Sequence, residues 1–195
     1  MGKMILKSVL VVGLLSAFVP LSYTEAHVSP NTCHPNGESS GFSVDCNNHQ
    51  GSSSFTYNLQ GVDSEYAGYV YNGASRWTNT GVVKISKTET QSNNGRIIKY
   101  ADPNTSTVAY FANYYSDSNG HLYAWTIGMN TSVMKGRDPA KNSEALAHEL
   151  GHAIGLNDLY SDNNKGKLMY GYSDRTSSLP TSRDIAGAKE AINGS

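Results

Sequence analysis

The sequence predicts an α+β fold built as one domain, and three observations predict it. Apolar residues recur at helical spacing over residues 64–77, four short β-rich runs follow between turn signals, and two further helical segments close the chain. A helix, a small twisted mixed sheet and two more helices form an α+β arrangement around one core.

The first 26 of the 195 residues fall outside this pattern. Lys3 and Lys7 give a basic start, Val9 to Leu21 is an apolar run, and Thr24-Glu25-Ala26 offers a small-x-small cleavage site. The run is short for a membrane span and reads as a secretory signal peptide, with the mature chain starting near His27. A retained N-terminal anchor is the alternative, and no stop-transfer flank supports it. A secreted, extracellular protein with no membrane contact after signal removal is therefore expected. Residues 27–195 suffice for one domain and are too few for two. Fifteen basic and sixteen acidic side chains give a net charge of -1, which offers no electrostatic reason to bind nucleic acid. A monomer is expected.

Residues 27–53 are rich in Ser, Gly and Asn and read as an irregular arm in which His27, His34 and His49 are solvated. The two cysteines, Cys33 and Cys46, both fall in this arm, and in an oxidising compartment they are expected to pair. The rival reading makes Cys33 an inhibitory metal ligand; a second available cysteine weighs against it. Phe55 to Leu59 reads as the first strand. Ser64 is the expected helix cap, and Tyr66, Ala67, Val70, Tyr71, Ala74 and Trp77 mark the helix that follows. Residues 82–85, 97–100, 108–115 and 122–129 are the strand candidates, punctuated by Asn93-Asn94-Gly95, Asp102-Pro103-Asn104 and Ser118-Asn119-Gly120. His121, just after a turn, reads as a surface residue, and Asp117 with Asn119 is too short a series for a calcium loop. The last helices are expected over about 143–154 and 182–192, the second capped by Thr181 or Ser182.

The chemistry concentrates in Ala147-His148-Glu149-Leu150-Gly151-His152-Ala153-Ile154-Gly155-Leu156-Asn157-Asp158. Residues four apart on a helix lie about 40° apart on one face, so His148 and His152 can present two imidazoles to one tetrahedral zinc ion. Glu149 sits beside the first ligand, placed to reach a polarised water rather than the metal. A catalytic zinc takes three protein ligands. Gly155 can end the helix in a left-handed turn and bring Asp158 back to the ion as the third. One zinc per chain is expected.

HELGHAIGLND resembles the long zinc motif of the metzincin peptidases, and AHELGHAIGL is most similar to the matrixin group. Leu168-Met169-Tyr170, with Met169 eleven residues after Asp158, resembles the matrixin Met-turn, in which the methionine packs beneath the zinc. Residues 179–185 resemble the start of the family's C-terminal helix. The resemblance implies a metzincin-like domain with an active-site cleft, zinc-dependent hydrolysis of protein or peptide substrates, and Glu149 as general base. It also implies a substrate lying extended along a sheet edge, for which Leu122–Ile127 is the candidate. The sequence departs from the pattern in four respects. Asp158 stands where a third histidine is usual, as in the snapalysin-like members. The latency propeptide is missing. The calcium and structural-zinc loops have no clear counterpart, so calcium is unsupported. Tyr170 and Tyr172 do not match the spacing of the astacin-like switch tyrosine and carry no assigned role. Two other classes stay open: a catalytically weak binding or adhesion module on this fold, which intact Glu149 opposes, and a zinc hydrolase of a non-peptide bond.

Overall fold

A computed structural model describes residues 35–90 and 95–193. The signal segment, His27, Cys33, His34 and most of the Asn93-Asn94-Gly95 turn lie outside the described residues.

The elements run β1 (Asn36–Gly37), β2 (Phe42–Ser43), β3 (Ser54–Gln60), α1 (Ser64–Thr78), β4 (Lys84–Lys87), β5 (Arg96–Tyr100), β6 (Ala109–Ser116), β7 (Leu122–Asn130), α2 (Thr131–Met134), α3 (Pro139–Ile154) and α4 (Ser182–Asn193). This is the expected α+β architecture. Five strands form one mixed sheet in the order β4-β3-β5-β7-β6, and β1 with β2 forms a separate small ladder. Within the sheet only β6 runs antiparallel to its neighbour, along β7.

Helix α1 starts where the periodicity places it, but its cap is Asp63 rather than Ser64. The Asp63 carboxylate accepts the Tyr66 amide, the bond an N-cap side chain supplies. Helix α3 begins four residues earlier than expected. Asp138 accepts the Ala140 amide and Pro139 occupies the first turn, where a missing N–H costs nothing. At α4, the Thr181 amide and hydroxyl both donate to Asp184, so Thr181 is the capping residue.

The core lies between the sheet and helices α1 and α3. Trp77, Trp125, Ile97, Ile127, Leu146 and Leu150 are fully buried in it. The Trp77 indole N–H donates to the Ala147 carbonyl at 2.7 Å, tying α1 to the middle of α3 and giving a buried polar group its partner.

The expected irregular arm is ordered over its described part. Val44 bridges Leu156, the His49 amide donates to the Gly120 carbonyl, and the Leu122 amide donates back to His49. His49 is therefore wholly buried rather than solvated. It stands edge-to-face with His121, ring centroids 5.1 Å apart, so His121 is half-buried rather than a surface residue. Composition concealed this, because the arm is held by backbone pairing and contributes few apolar side chains.

Candidate metal centre

Helix α3 carries the site on one face and the core on another. Leu146, Leu150, Ala153 and Ile154 are fully buried, while His148, Glu149 and His152 line a cavity of about 550 Å³. Beside them stand Phe111 on β6 and Tyr172 after the Met169 turn.

The helix ends at Gly155, whose φ of 121° is a conformation that L side chains rarely adopt. A Cβ there would also lie 2.3 Å from the Cβ of His49. Beyond it the Asn157 amide donates to the Ser43 carbonyl, and the chain turns back beneath the helix. Asp158 Oδ1 thereby arrives 3.0 Å from His148 Nε2 and 3.6 Å from His152 Nε2, and the two Nε2 atoms are 3.2 Å apart. The three residues placed together from sequence are together in space.

Both imidazoles are oriented from behind. His148 Nδ1 lies 2.9 Å from the Leu168 carbonyl and His152 Nδ1 lies 2.7 Å from the Leu156 carbonyl. A carbonyl only accepts, so each Nδ1 carries the proton and each Nε2 presents a lone pair inward. No hydrogen bond reaches Asp158 Oδ1, although it is buried. Asp158 Oδ2 accepts from the Tyr160 hydroxyl at 3.0 Å.

This donor set fits zinc. Two nitrogens and an oxygen at about 2.0–2.2 Å from a tetrahedral centre stand about 3.3–3.5 Å from one another. The observed separations of 3.0, 3.2 and 3.6 Å bracket that edge before any ion draws them in. Among the described residues, no other trio of His, Cys, Asp or Glu lies close enough to hold an ion.

The electrostatics suit ligation. Burial, with His148 beside it, holds the His152 imidazole below its ordinary value and favours the neutral ligand form. Burial opposes ionisation of Asp158, but in the ion-free site a proton taken up by the imidazoles, His148 foremost, together with the Tyr160 hydroxyl outweighs it and holds the carboxyl at about 2. Burial pushes Glu149 up to about 7, countered in part by His152 and Arg175 and reinforced by Asp158. A dication nearby favours the ionised form of Glu149.

Met169 is 2% exposed and packs against α3 one residue before His152. A Cβ added to Gly151 would lie 2.3 Å from its sulfur, so that glycine is what lets the turn press against the helix. Asp184 of α4 holds the turn from the other side, accepting the Leu168 and Met169 amides at 3.1 Å each.

Several residues here had no sequence reading. Tyr160 bonds Asp158, and its only signal is its place two residues after it. Glu144 and Arg175 form a buried ion pair at 3.7 Å on the cavity wall, distant in sequence and unmarked by any motif. Tyr170 is buried with its hydroxyl toward Asp162, whereas Tyr172 is exposed at the cavity. The expected sheet edge requires correction. Strand β7 lies between β5 and β6, and all its residues but Tyr123 are buried, as an interior strand requires. The edge is β6, and residues 106–111 bring it to the cavity.

No family model and no curated protein sequence matches the chain. Among solved structures it is similar to that of myroilysin, a metalloprotease, at 14% identity and a TM-score of 0.52, over 74% of this chain and 95% of that one. The fold is therefore similar to that of myroilysin, and it carries a His-His-Asp group able to hold a metal ion.

Proposed function

We propose that the protein is a secreted zinc endopeptidase that hydrolyses internal peptide bonds of protein substrates, acting as a monomer. The observation that carries this reading is the convergence of His148 Nε2, His152 Nε2 and Asp158 Oδ1 at tetrahedral spacing, with Glu149 on the same cavity wall.

When bound, zinc supplies Lewis acidity to the attacking water and the scissile carbonyl. His148, His152 and Asp158 hold the ion, and their partners at Leu168, Leu156 and Tyr160 fix their orientation. Glu149 accepts a proton from the attacking water and delivers it to the departing amine nitrogen, so the carboxylate is regenerated with each turnover. Its burial keeps its affinity for the proton high, as a group that must both take and release one requires. The free edge of β6 offers backbone N–H and C=O groups to an extended substrate.

Casein digestion by the mature chain, with and without chelator, tests the reading. Chelation should abolish digestion and added zinc should restore it. A zinc-loaded chain inert on casein but active on an ester or amidated sugar would assign it to non-peptide hydrolysis. A chain inert on both would be a binding module.

A further inference from the structure

We propose that the catalytic cavity selects substrates bearing a carboxylate one or two residues from the bond that is cut. The inference rests on the peptidase reading above and names its substrate class.

Arg137, Lys141, Glu144 and Arg175 line the cavity together with the metal-centre residues. Lys141 Nζ lies 2.9 Å from Glu144 Oε2, and Arg175 Nη1 lies 3.7 Å from Glu144 Oε1. Arg137 donates to the Asn142 side-chain oxygen at 3.4 Å and has no carboxylate partner among the described residues. Three cations thus face one carboxylate, and the surplus is positive. The remaining carboxylates of the cavity, Glu149 and Asp158, would be balanced by the divalent ion that the peptidase reading requires, and with that ion bound they would not cancel the surplus.

Glu144 and Arg175 are 3% and 8% exposed at their side chains and pair with one another, which leaves the surplus on half-buried Arg137 and on Lys141, 48% exposed at its side chain, where water screens it only in part. An apolar substrate side chain entering here would strip water from charged groups and return nothing. A carboxylate would pair with them.

The geometry agrees. Lys141, Glu144 and Ala145 precede His148 on the cavity face of α3, and seven residues of helix span about 10 Å. That distance is covered jointly by a lysine or arginine side chain of about 6 Å and an acidic side chain of about 4 Å. The carboxylate could belong to an internal Asp or Glu or to the substrate's own C-terminus, and the experiment separates these sources.

The test uses the zinc-loaded mature protein and quenched peptides, amidated at the C-terminus, that differ only at the two positions on each side of the cut. Glu or Asp at one of them should raise kcat/KM about tenfold or more over Gln, Asn or Leu, and the advantage should shrink as salt is added. A parallel set with a free C-terminal carboxylate at the same distance identifies the terminus as the source if it outpaces the amidated set. Arg137→Glu and Lys141→Glu, checked for zinc content and melting temperature, should lower or invert the Glu-to-Gln ratio. Arg175 is avoided because its burial makes misfolding the dominant effect. If casein and the Gln or Leu peptides are cut as fast as the Glu peptides, the inference is overturned while the peptidase reading survives. If zinc-loaded protein cuts neither casein nor any peptide, both fall together.

Discussion

Asp184 is the residue through which α4 supports the metal centre, and Asp184→Asn tests that support. The parent carboxylate is 1% exposed and accepts four hydrogen bonds. Oδ2 takes the Leu168 amide at 3.1 Å and the Thr181 amide and hydroxyl at 2.7 Å each, and Oδ1 takes the Met169 amide at 3.1 Å. An asparagine keeps the shape but has one accepting oxygen. Its best orientation keeps that oxygen on the three Oδ2 donors and turns its NH₂ toward the Met169 N–H. The lost bond leaves a buried donor unsatisfied, costing about 1–3 kcal/mol. Losing the charge weakens the other three bonds, so the total is roughly 2–4 kcal/mol. At about 2–4 °C per kcal/mol for a chain of this size, the melting temperature should fall by roughly 5–15 °C. The Leu168 carbonyl that orients His148 belongs to the same turn, so zinc affinity should also drop, by about 10-fold or more. Circular-dichroism melts in excess zinc and competition with a chromogenic chelator measure the two effects. If Asp184→Asn melts within about 2 °C of the parent and holds zinc equally well, the turn is not held as described.

Other consequences follow from the same contacts. Tyr160→Phe removes the donor to Asp158 Oδ2 and should weaken zinc binding by about 10-fold while leaving the melting temperature of the metal-free chain nearly unchanged. In metal-free protein, Glu149 is raised from 4.5 to about 7, so its contribution to stability is fully present below about pH 4.5 and is lost as pH rises through about 7. The loss approaches about 3 kcal/mol. Chelated protein should therefore melt lower at pH 8 than at pH 5, and Glu149→Gln should flatten that difference. Asp158 acts oppositely: its carboxyl is lowered from 3.8 to about 2, so its stabilisation is present above about 3.8 and fades as pH falls through about 2. The pairing of Cys33 with Cys46 expected from the sequence should leave no alkylatable thiol in freshly exported protein, as mass spectrometry can read; two labelled cysteines would restore Cys33 as a candidate ligand.

The candidate metal centre, as a group of side chains brought together, was legible in the sequence because a helix converts spacing into position. His148 and His152 share a face whatever surrounds them, and Gly155 announces the turn that returns Asp158. The helices α1, α3 and α4 were legible through their apolar period, whereas of their caps only Thr181 at α4 was. What stayed hidden depends on contacts distant in sequence. Strand order is not written in any single strand, so the sequence alone does not tell β7 from the edge that β6 occupies. The burial of His49 comes from backbone pairing with Gly120 and Leu122, and backbone groups leave no mark in composition. Glu144 and Arg175 are joined only once α3 and the segment after Met169 have met.

The central claim is that His148, His152 and Asp158 hold one zinc ion and that Glu149 is a base and not a ligand. Zinc stoichiometry measured side by side on Glu149→Gln and Asp158→Ala tests it most directly. Glu149→Gln should retain one zinc per chain yet digest almost no casein, because only the proton acceptor is gone. Asp158→Ala should lose both metal and digestion, since two imidazoles alone hold the ion poorly. An Asp158→Ala protein that binds zinc as tightly as the parent and still digests casein would contradict the account.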